Sequence, residues 1–278
     1  MRELVYNGKT LEYSVFDPTG NITALVETAV DPAEQPDAAA EIMRKEPDVE
    51  QVGFVSLGAA AGDVPVSLRM AGGEFCGNAS MCAAALYAAR AGLQGEATVK
   101  VRVSGASAPV EVRLEATGAG SFDAAVSMPP ARSIGEQFMA LTADWLTVSG
   151  EIPIVRMEGI DHVIIEKSCS YNALRDLPEL AEDAARILQV RLGSDCVGMM
   201  FISEGEDGLE LKPLVYVPGA DTIFWENSCA SGTSAAGMWF AKKEGRPVDM
   251  TFGEPAGRMR VESDPLGATV LHGSLKML

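Results

Sequence analysis

Cys76 and Cys229 are the residues of this chain whose type and placement could do chemistry. Each is followed by small polar residues, Asn78 and Ser80 in one case and Ser231 and Thr233 in the other, and then by an alanine-containing run. Small polar residues suit helix starts, and alanine suits helix interiors. Each thiol is therefore expected just ahead of a helix whose first N–H groups are free. A helix start carries about half a positive charge, and thiols held there or beside cations titrate at about 3.5–7.5, against about 8.5 when free. Lowered pKa values are expected for both. Two helix starts facing one another across a cleft make a carboxylate site from backbone alone. Gly77, Asn78, Ala230, Ser231 and Gly232 are small enough to let a ligand come close. Two sulfurs on opposite sides of a carboxylate-bearing carbon could invert it. One thiolate removes the α-proton from one face while the other thiol donates a proton to the opposite face, and the reverse reaction exchanges their roles. The N–H groups of both helices would stabilise the planar intermediate. A single buried cysteine reads as packing; two at equivalent places in a repeat read as a pair.

That repeat is also what must position them. Gly92 and Gly245 follow their cysteines at the same offset of 16 residues, Ala83 matches Ala236, Ala88 matches Ala241, and Leu86-Tyr87 fall with Trp239-Phe240. Arg90, Lys242 and Lys243 sit where the negative end of each helix would be, and the glycines suit a left-handed stop. The first helix is small and apolar nearly all round, so it is expected to be buried and central. The cysteines stand 153 residues apart, about half the chain, which points to a duplicated domain. Strand-like runs surround each helix, at 23–28, 64–70, 98–103, 110–114 and 124–128, and again at 162–166, 199–203, 209–217 and 268–271, and 183–192 reads as a further helix. The expected architecture is α/β (α+β): two pseudo-symmetric lobes, each a curved, mostly antiparallel sheet wrapped round one central helix. Residues 1–128 would form the first lobe and 129–278 the second, with Met128-Pro129-Pro130 as the crossover and the last strand free to return to the first lobe.

The 278 residues suffice for a substantial core, and 47% hydrophobic with 22% charged residues is an ordinary globular composition. A net charge of −17 repels phosphate backbones, which argues against nucleic acid as a partner. No apolar run is long enough to cross a bilayer, and residues 1–10 lack a basic-then-apolar leader, so a cytoplasmic protein without a membrane partner is expected. Five cysteines without a CxxC pair, and only His162 and His272, fit neither a disulfide framework nor a structural zinc site. No metal is expected, and a homodimer is left open.

In order along the chain, Asp17-Pro-Thr-Gly-Asn21, Glu74-Phe-Cys76-Gly77-Asn78, Asp161-His162-Val163 and Trp225-Glu226 followed by Cys229-Ala-Ser-Gly232 resemble the motifs of the diaminopimelate epimerase-like family of pyridoxal-independent racemases and epimerases. The resemblance implies a cofactor-free two-base mechanism with Cys76 and Cys229. It further implies that His162 and Glu226 support the thiols and the substrate amine and that Asn21 lines the site; Gly77, Asn78, Ala230 and Ser231, small and next to the thiols, are expected to contact the substrate.

The sequence departs from the family where diaminopimelate epimerases grip the distal end of their substrate. Asn227 stands at the arginine position, Ile160 at one asparagine and Cys196 at another, and Ala79-Ser80-Met81 replace a further Gly-x-Arg. Loss of a bidentate arginine clamp is not a conservative change. The expected substrate is therefore a mono-carboxylate amino acid, with histidine preferred by analogy within the fold family. The alternatives are diaminopimelate itself, a proline-type substrate, or a non-catalytic carboxylate-binding protein on the same scaffold.

Overall fold

The computed structural model describes residues 1–58 and 64–278. Among them the chain first forms β1 (Arg2–Tyr6), β2 (Lys9–Pro18), β3 (Thr23–Val26), α1 (Gln35–Lys45), β4 (Gln51–Leu57), β5 (Val66–Met70), α2 (Gly77–Arg90), β6 (Glu96–Val103), β7 (Val110–Gly118) and β8 (Ser121–Ser127). It continues as β9 (Ser133–Ala143), β10 (Leu146–Arg156), β11 (Asp161–Glu166), α3 (Pro178–Leu192), β12 (Val197–Gly205), β13 (Gly208–Val217), β14 (Thr222–Trp225), α4 (Ala230–Glu244), β15 (Val248–Glu254), β16 (Gly257–Ser263) and β17 (Thr269–Met277).

One pairing plan is used twice. Strands β2–β3, β4–β5, β6–β7 and β7–β8 are antiparallel, while β3–β4 and β5–β6 are parallel and bridged by α1 and α2. Likewise β10–β11, β12–β13, β15–β16 and β16–β17 are antiparallel, while β11–β12 and β13–β15 are parallel and bridged by α3 and α4. Parallel neighbours cannot be joined by a tight turn, so each crossover calls for a helix.

The two sheets are closed differently. Strand β17 pairs with β8 and with β2, which makes β2 to β8 plus β17 a closed eight-stranded ring. Helix α2 packs against every strand from β2 to β8. The other sheet has β9 at its edge, paired only with β10 among the described residues, and wraps α4 with β9–β12 and β15–β17. The expectation of two curved sheets is thus correct as a mixed α+β plan, and the last strand, expected to be free to return to the first lobe, does so. What the expectation does not contain is that this return closes a ring, because local patterning does not reveal which two edges one strand will join.

The central helices follow from their composition. Residues Gly77–Leu86 and Ala88 are all buried, as an alanine-rich helix inside a ring requires. Helix α2 stops where Gly92 turns left-handed at φ +66 and Leu93 N–H donates to the Ala88 carbonyl at 2.9 Å. Helix α4 stops at Gly245, also at φ +66. Helix α3 starts five residues before the expected 183, at Pro178, whose fixed φ suits a first helical turn.

Candidate active site

Cys76 and Cys229 are the N-caps of α2 and α4, with closely similar extended backbones (φ −133, ψ 113 and φ −133, ψ 100). The two helix starts meet directly. A Cβ built on Gly77 would lie 2.8 Å from the Cβ of Ala230, a contact that neither backbone can relieve by a rotamer change. Gly77→Ala should therefore wedge the starts apart, with a loss of about 1–3 kcal/mol typical of overpacking. A denaturation curve reads this, and a variant as stable as the parent would show that the contact is loose.

Polar bonds fix the same junction. Asn78 Nδ2 donates to the Ser228 carbonyl at 3.3 Å, and the Ser228 hydroxyl donates to the Pro18 carbonyl at 3.2 Å. The loop carrying Asn21 turns at Gly20, where φ is +90 and a Cβ would lie 2.0 Å from that of Ala256; only glycine fits. Asn21 Nδ2 donates to Glu50 at 2.8 Å, and Gln51 Nε2 donates to Glu226 at 2.7 Å.

These elements enclose a cavity of about 20 Å³, lined by both thiols and by Asn21, Gln51, Glu74, Gly77, Asn78, Ile160, Glu226, Ala230 and Ser231, with Phe75, Val215 and Val217 as its apolar wall. That is room for about one water. Three buried acceptors in this lining have no protein partner: Asn21 Oδ1, Asn78 Oδ1 and Glu74 Oε2. The amide orientations are set by the donors' partners, a carboxylate for Asn21 and a carbonyl for Asn78, so both oxygens are left to accept. Unpaired buried acceptors are costly, and a cluster of them fits a cationic donor such as an aminium group.

Of the residues expected at the site, the structure brings Asn21, Cys76, Gly77, Asn78, Glu226, Cys229, Ala230 and Ser231 to one cavity, and it does not bring His162 there. His162 lies on β11, fully buried, and its ring packs so closely on Gly198 that a Cβ there would be 2.4 Å from Nδ1. Neither ring nitrogen has a partner, and burial pushes its pKa down to about 3, so it is neutral. Asn227, at the expected arginine position, donates its backbone N–H to Glu50 at 3.2 Å and its side-chain amide to the same carboxylate. Cys196 lines an adjoining cleft.

The expected lowering of the thiol pKa values is overturned. Burial pushes both thiols up, and for Cys76 this outweighs the helix N–H groups; Glu226 and Glu74 push Cys76 further, as Glu226 and Glu254 do Cys229. Desolvation penalises the charged form, and carboxylates oppose a second negative charge. The same burial raises Glu74 to about 7, Glu226 to about 8 and Glu254 to about 8. Reading residue by residue missed Glu50, Gln51 and Glu254. None sits in a recognisable motif, and their only signal is acidic or amide character beside a strand end.

The two N-cap thiols line one cavity of a mixed α+β scaffold, and sequence comparison gives the class: the chain is an isomerase of the racemase and epimerase type. A family model described as the histidine racemase CntK N-terminal domain matches residues 10–274, and the chain belongs to that family. A histidine racemase of Fusobacterium nucleatum subsp. nucleatum is 31% identical over 242 residues, covering 84% of this chain and 82% of that protein. A histidine racemase of Staphylococcus aureus is 28% identical over 260 residues, covering 92% and 90%. Among solved structures, a hydroxyproline epimerase of Agrobacterium vitis superposes with a TM-score of 0.62 at 13% identity, covering 96% of this chain and 89% of the other. The fold is thus that of a proline-type epimerase, and not specifically that of the diaminopimelate epimerase branch that the motifs suggested.

Proposed function

We propose that this chain racemises histidine at its α-carbon, without a cofactor, by proton transfer between Cys76 and Cys229. The observation that carries the reading is the pair of N-cap thiols on one cavity whose lining also holds three unpartnered buried acceptors. The substrate carboxylate takes first-turn N–H groups of α2 and α4, which have no acceptor inside their helices. The aminium group takes Asn21 Oδ1, Asn78 Oδ1 and Glu74. Its positive charge favours the thiolate that burial alone disfavours. That thiolate removes the α-proton, the opposite thiol returns one from the other face, and the N–H groups hold the charge that builds on the carboxylate. Glu226, hydrogen-bonded to Gln51 and facing the Cys229 thiol, is placed to hold that thiol's proton. Because the cavity holds about one water, the helix starts must separate to admit an amino acid.

Histidine is favoured by the named activity of the Fusobacterium and Staphylococcus relatives and by the cavity itself. Among the described residues neither arginine nor lysine lines it, and Ile160 forms part of its wall, so a second carboxylate lacks a partner. A screen of the common L-amino acids and meso-diaminopimelate, read by chiral chromatography in deuterium oxide, tests this. Histidine should give the highest kcat/KM, with deuterium at the α-carbon. A higher value for meso-diaminopimelate would refute the reading of the distal end, and absence of exchange with every amino acid would make the protein a binder. Among the described residues no helix is long and apolar enough to cross a membrane.

A further inference from the structure

The reaction is symmetric, but the two thiols are held differently. Cys76 Sγ accepts the Ala79 N–H at 3.4 Å, so this sulfur caps its own helix, and a bond of that kind favours the thiolate. At the other helix start the Cys229 sulfur makes no such bond, and a carboxylate engages the N-cap residue's own N–H instead. The Cys229 N–H donates to Glu254 Oε2 at 2.6 Å, and the Thr233 hydroxyl donates to Glu254 Oε1 at 2.5 Å. Glu254 ends β15 and is buried, with both oxygens engaged on the first turn of α4. The Cys229 sulfur lies 3.6 Å from the Ser231 hydroxyl instead, and faces Glu226 from the loop before it and Glu254 from β15, with Glu50 beyond Glu226. Cys76 faces Glu226 and Glu74. Burial raises Glu254 to about 8, so above that pH, where the buried thiols titrate, it sets a negative charge against the helix end that would otherwise stabilise a Cys229 thiolate.

We propose that Glu254, once ionised, is a positioning residue that adds to Glu226 in holding Cys229 as the protonated partner and leaves Cys76 as the proton acceptor. This rests on the two-thiol reading above. In one direction Cys76 thiolate takes the α-proton and Cys229 thiol gives its proton to the opposite face. The enzyme then holds a Cys76 thiol and a Cys229 thiolate, and one proton must pass from the first to the second, through solvent, to restore the resting form. The enantiomer that needs the other form meets the minor species. Mirror-image substrates have an equilibrium constant of one, so kcat/KM must be equal for both at every pH. The asymmetry therefore shows in kcat and KM separately.

The test is pH-dependent alkylation of the full-length protein by iodoacetamide, with Cys76 and Cys229 followed separately by peptide mass spectrometry. In the parent, the Cys76 labelling midpoint should lie at lower pH than that of Cys229. Glu254→Gln keeps the side chain's size and an acceptor for the Cys229 N–H but removes the charge. It should lower the Cys229 midpoint by about one pH unit, roughly tenfold in reactivity below it, and leave that of Cys76 in place. The ratio of kcat for the two enantiomers should move toward one. A merely structural role would lower the melting temperature without moving one thiol's midpoint. An unmoved Cys229 midpoint in Glu254→Gln overturns the proposal, as does a parent midpoint for Cys229 at or below that of Cys76; the latter comparison stands even if the variant fails to fold. Labelling does not depend on turnover. If the two-thiol reading itself is wrong, that appears elsewhere, as racemisation surviving loss of either cysteine.

Discussion

Cys76→Ala and Cys229→Ala are each expected to lose racemisation by at least about 10²–10⁴-fold in both directions, the usual contribution of a positioned acid or base. In the proposed mechanism each face of the α-carbon is served by one sulfur, and among the described residues no other thiol lines the cavity to replace it. The loss should not extend to every proton transfer. A variant that keeps one thiol can still exchange the α-proton of the enantiomer presented to that thiol, without inverting it. Chiral chromatography should thus show no inversion, while mass spectrometry in deuterium oxide shows slow, one-sided exchange, opposite in the two variants. Cys82→Ala should stay within about twofold of the parent, because this side chain is buried inside α2 and outside the cavity. Near-normal turnover by Cys76→Ala would remove the two-base assignment.

Mild oxidation should inactivate the substrate-free enzyme almost completely, with activity restored by dithiothreitol. The residues after the two cysteines touch, and about 20 Å³ separates the walls that carry the sulfurs. A disulfide needs Cα atoms within about 7 Å, which helix starts in contact can supply. The rate should rise with pH, because the thiolate is the reacting form and burial has pushed both thiols up. Bound amino acid should hold the sulfurs apart and protect. Peptide mapping decides: a Cys76–Cys229 link suppressed by substrate supports the geometry. Linkage through Cys82, Cys169 or Cys196, or no protection, would show that the two thiols do not face each other.

The repeat made much of this legible in the sequence. Matched offsets from Cys76 to Gly92 and from Cys229 to Gly245 located both central helices and put a thiol at the start of each. Most of the cavity wall followed from residues adjoining those cysteines. What stayed hidden came from elsewhere in the chain. Glu50 and Gln51 reach the site only because β4 lies parallel to β3 and brings its start beside Asn21. Glu254 does so because β15 ends against the α4 start. The thiol ionisation was misjudged for a related reason: a helix start is a local feature, whereas desolvation is imposed by the whole enclosure. His162 matched a motif, yet its strand aims the ring at Gly198 rather than at the cavity.

The shared strand β17 also bears on how the molecule assembles. The eight-stranded ring takes seven strands from residues 9–127 and its last from residues 269–277, so a chain emerging from the ribosome cannot complete it until the second half has been made. Until then the edges of β2 and β8 lack this partner over the residues β17 will cover, and the enclosure round the apolar helix α2 stays open. Closing a loop of that length, with four parallel pairings, belongs to the slow, non-local end of folding topologies. The two halves therefore do not mature one after the other; the strand that seals the first is a part of the second.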